Sequence, residues 1–378
     1  MRIGVPKETA AGERRVALVP EVVRKLKGKD HEVVVESGAA AGALLADEQF
    51  TEAGATIGDP WDADVVVKVA PPSADEVAKL GSGATLIGFL EPLTNPEGVS
   101  ALANAGVTAI AMEAIPRISR AQSMDALSSQ ANIGGYRSVL VAGTLLQRFY
   151  PMLMTAAGTV PPAKVLVLGA GVAGLQAIAT ARRLGAVVSG YDIRAAVREQ
   201  VDSLGARFVV LDVEAAGAED KGGYAKAMTE EFYQRQRDLM AGVLAQQNVV
   251  ITTAAVPGRK APILITRDMV NRMAPGSLIV DIAAERGGNC ELTRPGETVI
   301  LPGGVTIMGP LNLPSTIPYH ASQMYAKNIA TFLKYLIKDA KLALNREDEI
   351  VRETLVTHGG EVVHPKVREI LGLSEVVP

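Results

Sequence analysis

Three glycines, in Gly169-Ala170-Gly171-Val172-Ala173-Gly174, stand between the apolar run Val165-Leu166-Val167-Leu168 and a helical pattern over Leu175–Leu184. Strand, turn and helix in that order give such glycine spacing a chemical meaning. The first glycine allows a tight turn, the second lets backbone approach a pyrophosphate, and the third lets helix and strand pack closely. The helix N-terminus then turns free N–H groups and the positive end of its dipole toward the phosphates. Asp192 closes the next strand at the spacing expected of a residue that meets an adenosine ribose. Its carboxylate can accept from both ribose hydroxyls and would repel a 2′-phosphate, so the pattern predicts NAD(H) over NADP(H). Arg194, two residues on, could soften that preference, and a strand-end carboxylate can also be an ordinary cap.

A second chemical segment is the polar run Pro116-Arg117-Ile118-Ser119-Arg120-Ala121-Gln122-Ser123-Met124-Asp125-Ala126-Leu127-Ser128-Ser129-Gln130. In paired doubly wound sheets, ligands bind beyond the carboxyl ends of strands, and this run is placed there. Gln122 offers donor and acceptor to a carboxamide or a ribose; Asp125 accepts from hydroxyls or orients Arg117. The competing reading is a polar loop with Ser123 or Asp125 as helix N-cap. The residues alone leave both open. Residues 214–229, charged and hinged at Gly222-Gly223 beside Tyr224, read either as a mobile lid over a cofactor or as a solvated loop.

The elements that must position these groups alternate along the chain. Strands are expected at Arg2–Val5, Glu32–Glu36, Val65–Val69, Thr85–Phe89 and Val107–Met112, with helices such as Pro20–Lys27 and Glu97–Asn104 between them. A second series follows Pro161-Pro162, with strands at Lys164–Leu168, Ala186–Tyr191, Arg207–Val210, Asn248–Thr252, Ser277–Asp281 and Val305–Met308. Helices Gly174–Leu184 and Tyr224–Gln246 intervene, and Met124–Gln147 joins the two series. The pattern predicts an α/β chain of two doubly wound parallel sheets. Tyr319–Ile337 carries a core-facing stripe, Met324, Ile329, Phe332, Leu333 and Leu336, and a hairpin turns at Gly359-Gly360. The tail is expected to return to the first domain, giving 1–130 plus 312–378 and 131–311.

Composition excludes other classes. The 378 residues carry 38 Lys plus Arg against 41 Asp plus Glu, and aromatics are 4%, which speaks against nucleic-acid binding. One cysteine, Cys290, rules out an internal disulfide, and the four histidines show no metal-ligand spacing. No signal peptide and no bilayer-length apolar run is found, so a soluble chain in a reducing cytosol is expected.

The Arg117–Asp125 run, the stretch Thr155–Ala163 and the turn Gly169–Gln176 together resemble the NAD(H)-binding component of the proton-translocating NAD(P)+ transhydrogenase family, over nearly the whole chain. The first run is far more specific to that family than the glycine turn. The resemblance implies two Rossmann-like domains with NAD(H) in a cleft between them. It assigns Arg117, Gln122, Asp125 and Ser128, with Ile118, Ser119 and Arg120 beside them, to the nicotinamide end. Gly169, Ala170, Gly171, Val172, Gly174, Asp192, Ile193 and Arg194 fall to the pyrophosphate and adenosine end. Tyr224 with Gly223 matches a mobile-loop tyrosine, Gln236 and Ala255 match further cofactor contacts, and Thr155–Ala163 resembles a dimer-contact segment.

The same resemblance implies a homodimer, peripheral on the inner face of the cytoplasmic membrane. Its partners would be NADP(H)-binding and membrane-spanning subunits that translocate protons, and the chain alone would be nearly inactive. Alanine dehydrogenase shares the fold and is the alternative, as is a non-catalytic NAD sensor. Val5-Pro6-Lys7-Glu8 and Gly12-Glu13-Arg14-Arg15-Val16 match the dehydrogenase, and Arg15 and Lys68 look like its substrate-binding cations, or else like a retained buried ion pair. Yet its catalytic histidine falls near Glu91 and its catalytic aspartate at Glu285. Amine oxidation needs a general acid/base, whereas hydride transfer between two nicotinamides needs only alignment at roughly 3–3.5 Å. Gln122, Arg117 and Asp125 would serve that alignment.

Overall fold

The computed structural model describes residues 1–27, 31–211, 228–255, 258–339 and 341–374. The chain divides into two compact units, Met1–Gln130 with Pro314–Pro378, and Ala131–Leu313. Each is built on a doubly wound sheet of six parallel strands with antiparallel additions at one edge.

In the first unit the strands lie in the order Glu361–Val362, Leu355–His358, Thr108–Ala111, Thr85–Gly88, Val65–Val67, Arg2–Val5, Glu32–Val35, Thr56–Ile57. The central strands are unbroken apolar runs, Val65-Val66-Val67 among them, and every residue of that run is buried, as a sheet covered on both faces requires. The two short strand pairings from the tail form the hairpin expected at Gly359-Gly360. The tail helix Pro318–Leu336 starts with proline in its first turn and buries Ile329, Phe332, Leu333 and Leu336. Met324 is only half-buried; Tyr325 and Ala321 hold the inner face at that level.

In the second unit the order is Arg207–Phe208, Val187–Tyr191, Lys164–Leu168, Val249–Thr252, Leu278–Asp281, Thr306–Met308, Thr298–Ile300. The strand order reverses between Lys164–Leu168 and Val249–Thr252, so the loops after them, at Gly169 and Thr253, diverge and leave a crevice. The edge strand Thr298–Ile300 was not expected from sequence; it is short and mostly exposed, without the apolar run that marks the interior strands. Nor was the separate hairpin Leu153–Thr155/Gly158–Val160, on which Met154 stands 79% exposed.

Candidate functional site

In the second unit the turn after the central strand is shaped by sterics. A Cβ at Gly174 would lie 1.8 Å from the Gly169 carbonyl oxygen, so helix and strand end can meet this closely only with glycine there. Gly171 is the opposite case: a Cβ there would meet nothing within 4 Å. The helix Val172–Arg183 begins at once, and no side chain caps its first amides. Gly171, Val172 and Ala173 are half-buried, within reach of a ligand. Bare backbone, open space and the positive end of a helix dipole fit the pyrophosphate of a dinucleotide.

Asp192 is buried and fully engaged. Its Oδ2 accepts from the Ala170 amide at 2.7 Å, drawing the turn toward the next strand end. The Arg194 amide reaches Oδ1 at 2.9 Å, and the Arg194 guanidinium spans both oxygens, Nε to Oδ1 at 2.9 Å and Nη2 to Oδ2 at 2.8 Å. A ribose diol would replace the guanidinium, while the two amides keep the carboxylate aimed. Ile193 is half-buried beside it. Gln236 is buried, and its Nε2 donates to the Tyr191 hydroxyl at 2.8 Å, bracing the strand that leads to Asp192. Its Oε1 has no partner among the described residues. Ala255 is half-buried and lies two residues past Thr253, whose hydroxyl donates to the Gly169 carbonyl at 2.9 Å. Gly223 and Tyr224 lie outside the described residues.

In the first unit Ser119–Met124 forms a 3-10 turn. Ala121 and Met124 are buried beneath it, while Arg117, Ser119, Arg120 and Gln122 are exposed. Asp125 takes both of the roles open to it: Oδ1 and Oδ2 accept from the Ser128 amide at 2.8 Å and hydroxyl at 2.6 Å, capping the helix Ala126–Leu145, and Arg117 Nε lies 4.0 Å from Oδ2. Ile118 packs on the core. The Arg120 guanidinium is committed elsewhere, donating to Tyr335 Oη at 2.6 Å and to Asp348 Oδ2 at 2.8 Å. Burial would raise the Asp348 carboxyl, but hydrogen bonds from Arg120 and Tyr335 hold it at about 2. Asn328 completes the support, its Nδ2 donating to the Ser123 carbonyl at 2.9 Å and its Oδ1 accepting from the Ser129 hydroxyl at 2.8 Å. Sequence reading missed Asn328, Tyr335 and Asp348 because they lie some 200 residues from the turn they hold, and no local pattern marks them.

The positions at which an amino-acid dehydrogenase would keep its acid and base are otherwise employed. Glu91 adopts a left-handed backbone, φ +53°, with its amide 2.5 Å from Glu113 Oε1. Burial pushes the Glu113 carboxyl up to about 7. Glu285 is exposed and accepts from the Asn312 amide at 2.5 Å. Lys68, 1% exposed, lies 3.1 Å from Glu8 and 2.9 Å from Glu76. Arg15 is gripped by both oxygens of Glu13, Nε at 2.8 Å and Nη2 at 2.6 Å, and its Nη1 donates to Gln130 at 2.8 Å. Both cations are thus balanced by carboxylates of the chain itself, the buried ion-pair reading. Among the described residues no group of three His, Cys, Asp or Glu could hold a metal, and no helix is long and apolar enough to cross a membrane.

Two family models match the chain: alanine dehydrogenase/PNT, N-terminal domain, over residues 4–134, and alanine dehydrogenase/PNT, C-terminal domain, over residues 138–365. The first of the chains that make up NAD(P) transhydrogenase subunit alpha in Rhodospirillum rubrum is 52% identical over 378 residues, covering 97% of this chain and 98% of its own length. The crystal structure of transhydrogenase from Sinorhizobium meliloti superposes with a TM-score of 0.87 at 49% identity, covering 96% of this chain and 100% of the other. Alanine dehydrogenase of Bacillus subtilis is more distant, 31% identical over 389 residues, covering 100% of this chain and 96% of its own.

Proposed function

Because this chain belongs to the alanine dehydrogenase/PNT family, with both family domains matched, we propose that it is the NAD(H)-binding subunit of a proton-translocating transhydrogenase. The observation that carries the choice within the family is the state of the acid/base positions. Glu285 is spent on a backbone amide, Glu91 stands where a histidine would be, and Lys68 and Arg15 are neutralised from within. Nothing there supplies the proton that amine oxidation requires.

Bound NADH would supply a hydride for NADP+ held on a partner subunit. In this reading the chain's residues bind and orient. The Gly169–Gly174 turn receives the pyrophosphate, Asp192 fixes the adenosine ribose, and Ile193, Arg194, Gln236 and Ala255 complete that end. Gln122, Arg117, Asp125 and Ser128 hold the nicotinamide end, and Tyr224 with Gly223 covers it. Alignment alone accelerates such a transfer, since no proton moves with the hydride. Membrane-spanning subunits carry the protons, and the chain sits on the inner face of the membrane as a homodimer, the exposed Leu153–Val160 hairpin being the natural contact.

The test is reconstitution of the full chain with NADP(H)-binding and membrane-spanning transhydrogenase subunits. Hydride transfer from NADH to an NADP+ analogue is expected in the complex and lost in Gln122→Asn. Turnover of pyruvate, ammonia and NADH by the chain alone, without transfer in the complex, would overturn the reading.

A further inference from the structure

The carboxyl end of the strand Leu278–Asp281 carries a network that the cofactor reading leaves unused. Asp281 is fully buried, and five uncharged donors meet its carboxylate. The Thr252 hydroxyl and Ala283 amide reach Oδ1 at 2.8 and 3.2 Å. The Asn289 and Cys290 amides reach Oδ2 at 2.7 and 2.9 Å, and the Thr293 hydroxyl at 2.6 Å. The chain folds back tightly to do this: Gly288 has φ +80°, and a Cβ there would fall 2.6 Å from Oδ2.

This wrap delivers Asn289, which is also fully buried. Its carboxamide grips one residue from both sides, Oδ1 accepting from the Ala254 amide at 3.0 Å and Nδ2 donating to the Ala254 carbonyl at 2.9 Å. The second Nδ2 hydrogen serves the Pro262 carbonyl at 2.9 Å. Ala254 follows Thr253, whose amide donates to the Leu168 carbonyl and whose hydroxyl donates to the Gly169 carbonyl. A Cβ at Gly169 would meet Thr253 Oγ1 at 2.7 Å and the Ala254 nitrogen at 3.0 Å. The Thr253-Ala254 backbone is therefore the wall against which the glycine turn is built.

We propose that Asn289, locked by Asp281, is a positioning residue for the dinucleotide-binding turn: it sets the place of Thr253-Ala254 and so of the backbone at Gly169–Gly171. This rests on the assignment of the pyrophosphate to that turn. Loss of the carboxamide strands the Ala254 amide, the Ala254 carbonyl and the Pro262 carbonyl, and buried polar groups left unpaired drive local rearrangement. Small misplacement of a binding backbone is costly to a ligand that must be aligned. Sequence reading passed over Asn289 because an isolated asparagine after two glycines reads as an ordinary turn residue.

The experiment uses full-length Asn289→Ala and Thr253→Val, the second nearly isosteric and removing only the hydroxyl bond to Gly169. ADP-ribose and NADH are titrated calorimetrically, and transfer rates are measured in the reconstituted complex. Both variants are expected to bind ADP-ribose and NADH about tenfold more weakly and to raise the half-saturating NADH concentration to match. The rate at saturating NADH is expected to stay at the wild-type value, a split that general loss of structure would not produce. Gln122→Asn should do the reverse, slowing the saturated rate with ADP-ribose affinity intact. ADP-ribose affinity within about twofold of wild type in Thr253→Val overturns the proposal, whether or not Asn289→Ala folds. A wild-type chain that binds neither ADP-ribose nor NADH overturns the cofactor reading first, and this proposal with it.

Discussion

The two units put opposite chemistry at the same place in the same fold. In each, the strand order reverses beside the first strand of the unit, the point at which doubly wound sheets open a crevice. In the second unit that point holds a glycine turn with open space above Gly171. In the first it holds Glu8, after the strand Arg2–Val5, and Lys68, after Val65–Val67, closed into a buried triad with Glu76. A crevice becomes a binding site where side chains are withheld and backbone amides stay unspent. Charge gathered there does the reverse when it is paired internally. Lys68→Met is the strongest way to break this contrast. It strands two buried carboxylates and is expected to cost about 3–5 kcal/mol in urea unfolding, whereas the triple replacement with Glu8→Gln and Glu76→Gln should be close to neutral. A chain that tolerates Lys68→Met alone would show that the triad does not seal the first crevice.

A smaller effect sharpens the same contrast through pH. Burial pushes Glu113 up to about 7 from an ordinary 4.5, so between those values the folded chain holds a proton that the unfolded chain has released. Stability should therefore fall as pH rises through that window, by about 3 kcal/mol in all. Glu113→Gln should flatten the slope and leave the chain more stable at pH 8; urea midpoints across pH 5–8 measure both. In the second unit the corresponding lesion is steric. Gly174→Ala forces a Cβ into the Gly169 carbonyl and is expected to cost about 1–3 kcal/mol together with NADH binding. Gly171→Ala meets open space, so its thermal midpoint should hold while NADH binding weakens.

The parallel strands were readable from the amino acids because each is an apolar run bounded by turn signals, and the run Lys164–Leu168 coincides with its strand end to end. The edge strand Thr298–Ile300 and the Leu153–Val160 hairpin escaped because short, exposed strands carry no burial pattern. The glycine turn was legible for the same reason it works: each glycine answers a local backbone need. What no window of sequence displays is support from afar. Asn328 under Ser123, Asp348 on Arg120 and Asn289 on Ala254 are polar side chains whose meaning comes from tertiary partners. Asp192 shows the intermediate case, its place fixed by spacing and its Arg194 clasp visible only in three dimensions.

The smallest effect concerns the antiparallel strands that the tail adds to the first unit. His364 follows the hairpin Leu355–His358/Glu361–Val362 and is buried, with Nδ1 unpartnered among the described residues. Burial lowers its pKa below 6.5; the carboxylate of Glu353 opposes the shift and Lys366 adds to it. The neutral ring is thus the folded form. At a pH just under 6.5 the unfolded chain takes up a proton that the folded chain refuses, so stability is complete above 6.5 and is lost as pH falls through the lowered folded value. This runs opposite to Glu113, whose stabilising proton is gained on acidification. His364→Gln should remove the acid-side loss while leaving the alkaline-side loss from Glu113 in place. If both slopes vanished together, the tail strands and the Glu113 rim would be one titrating unit rather than two.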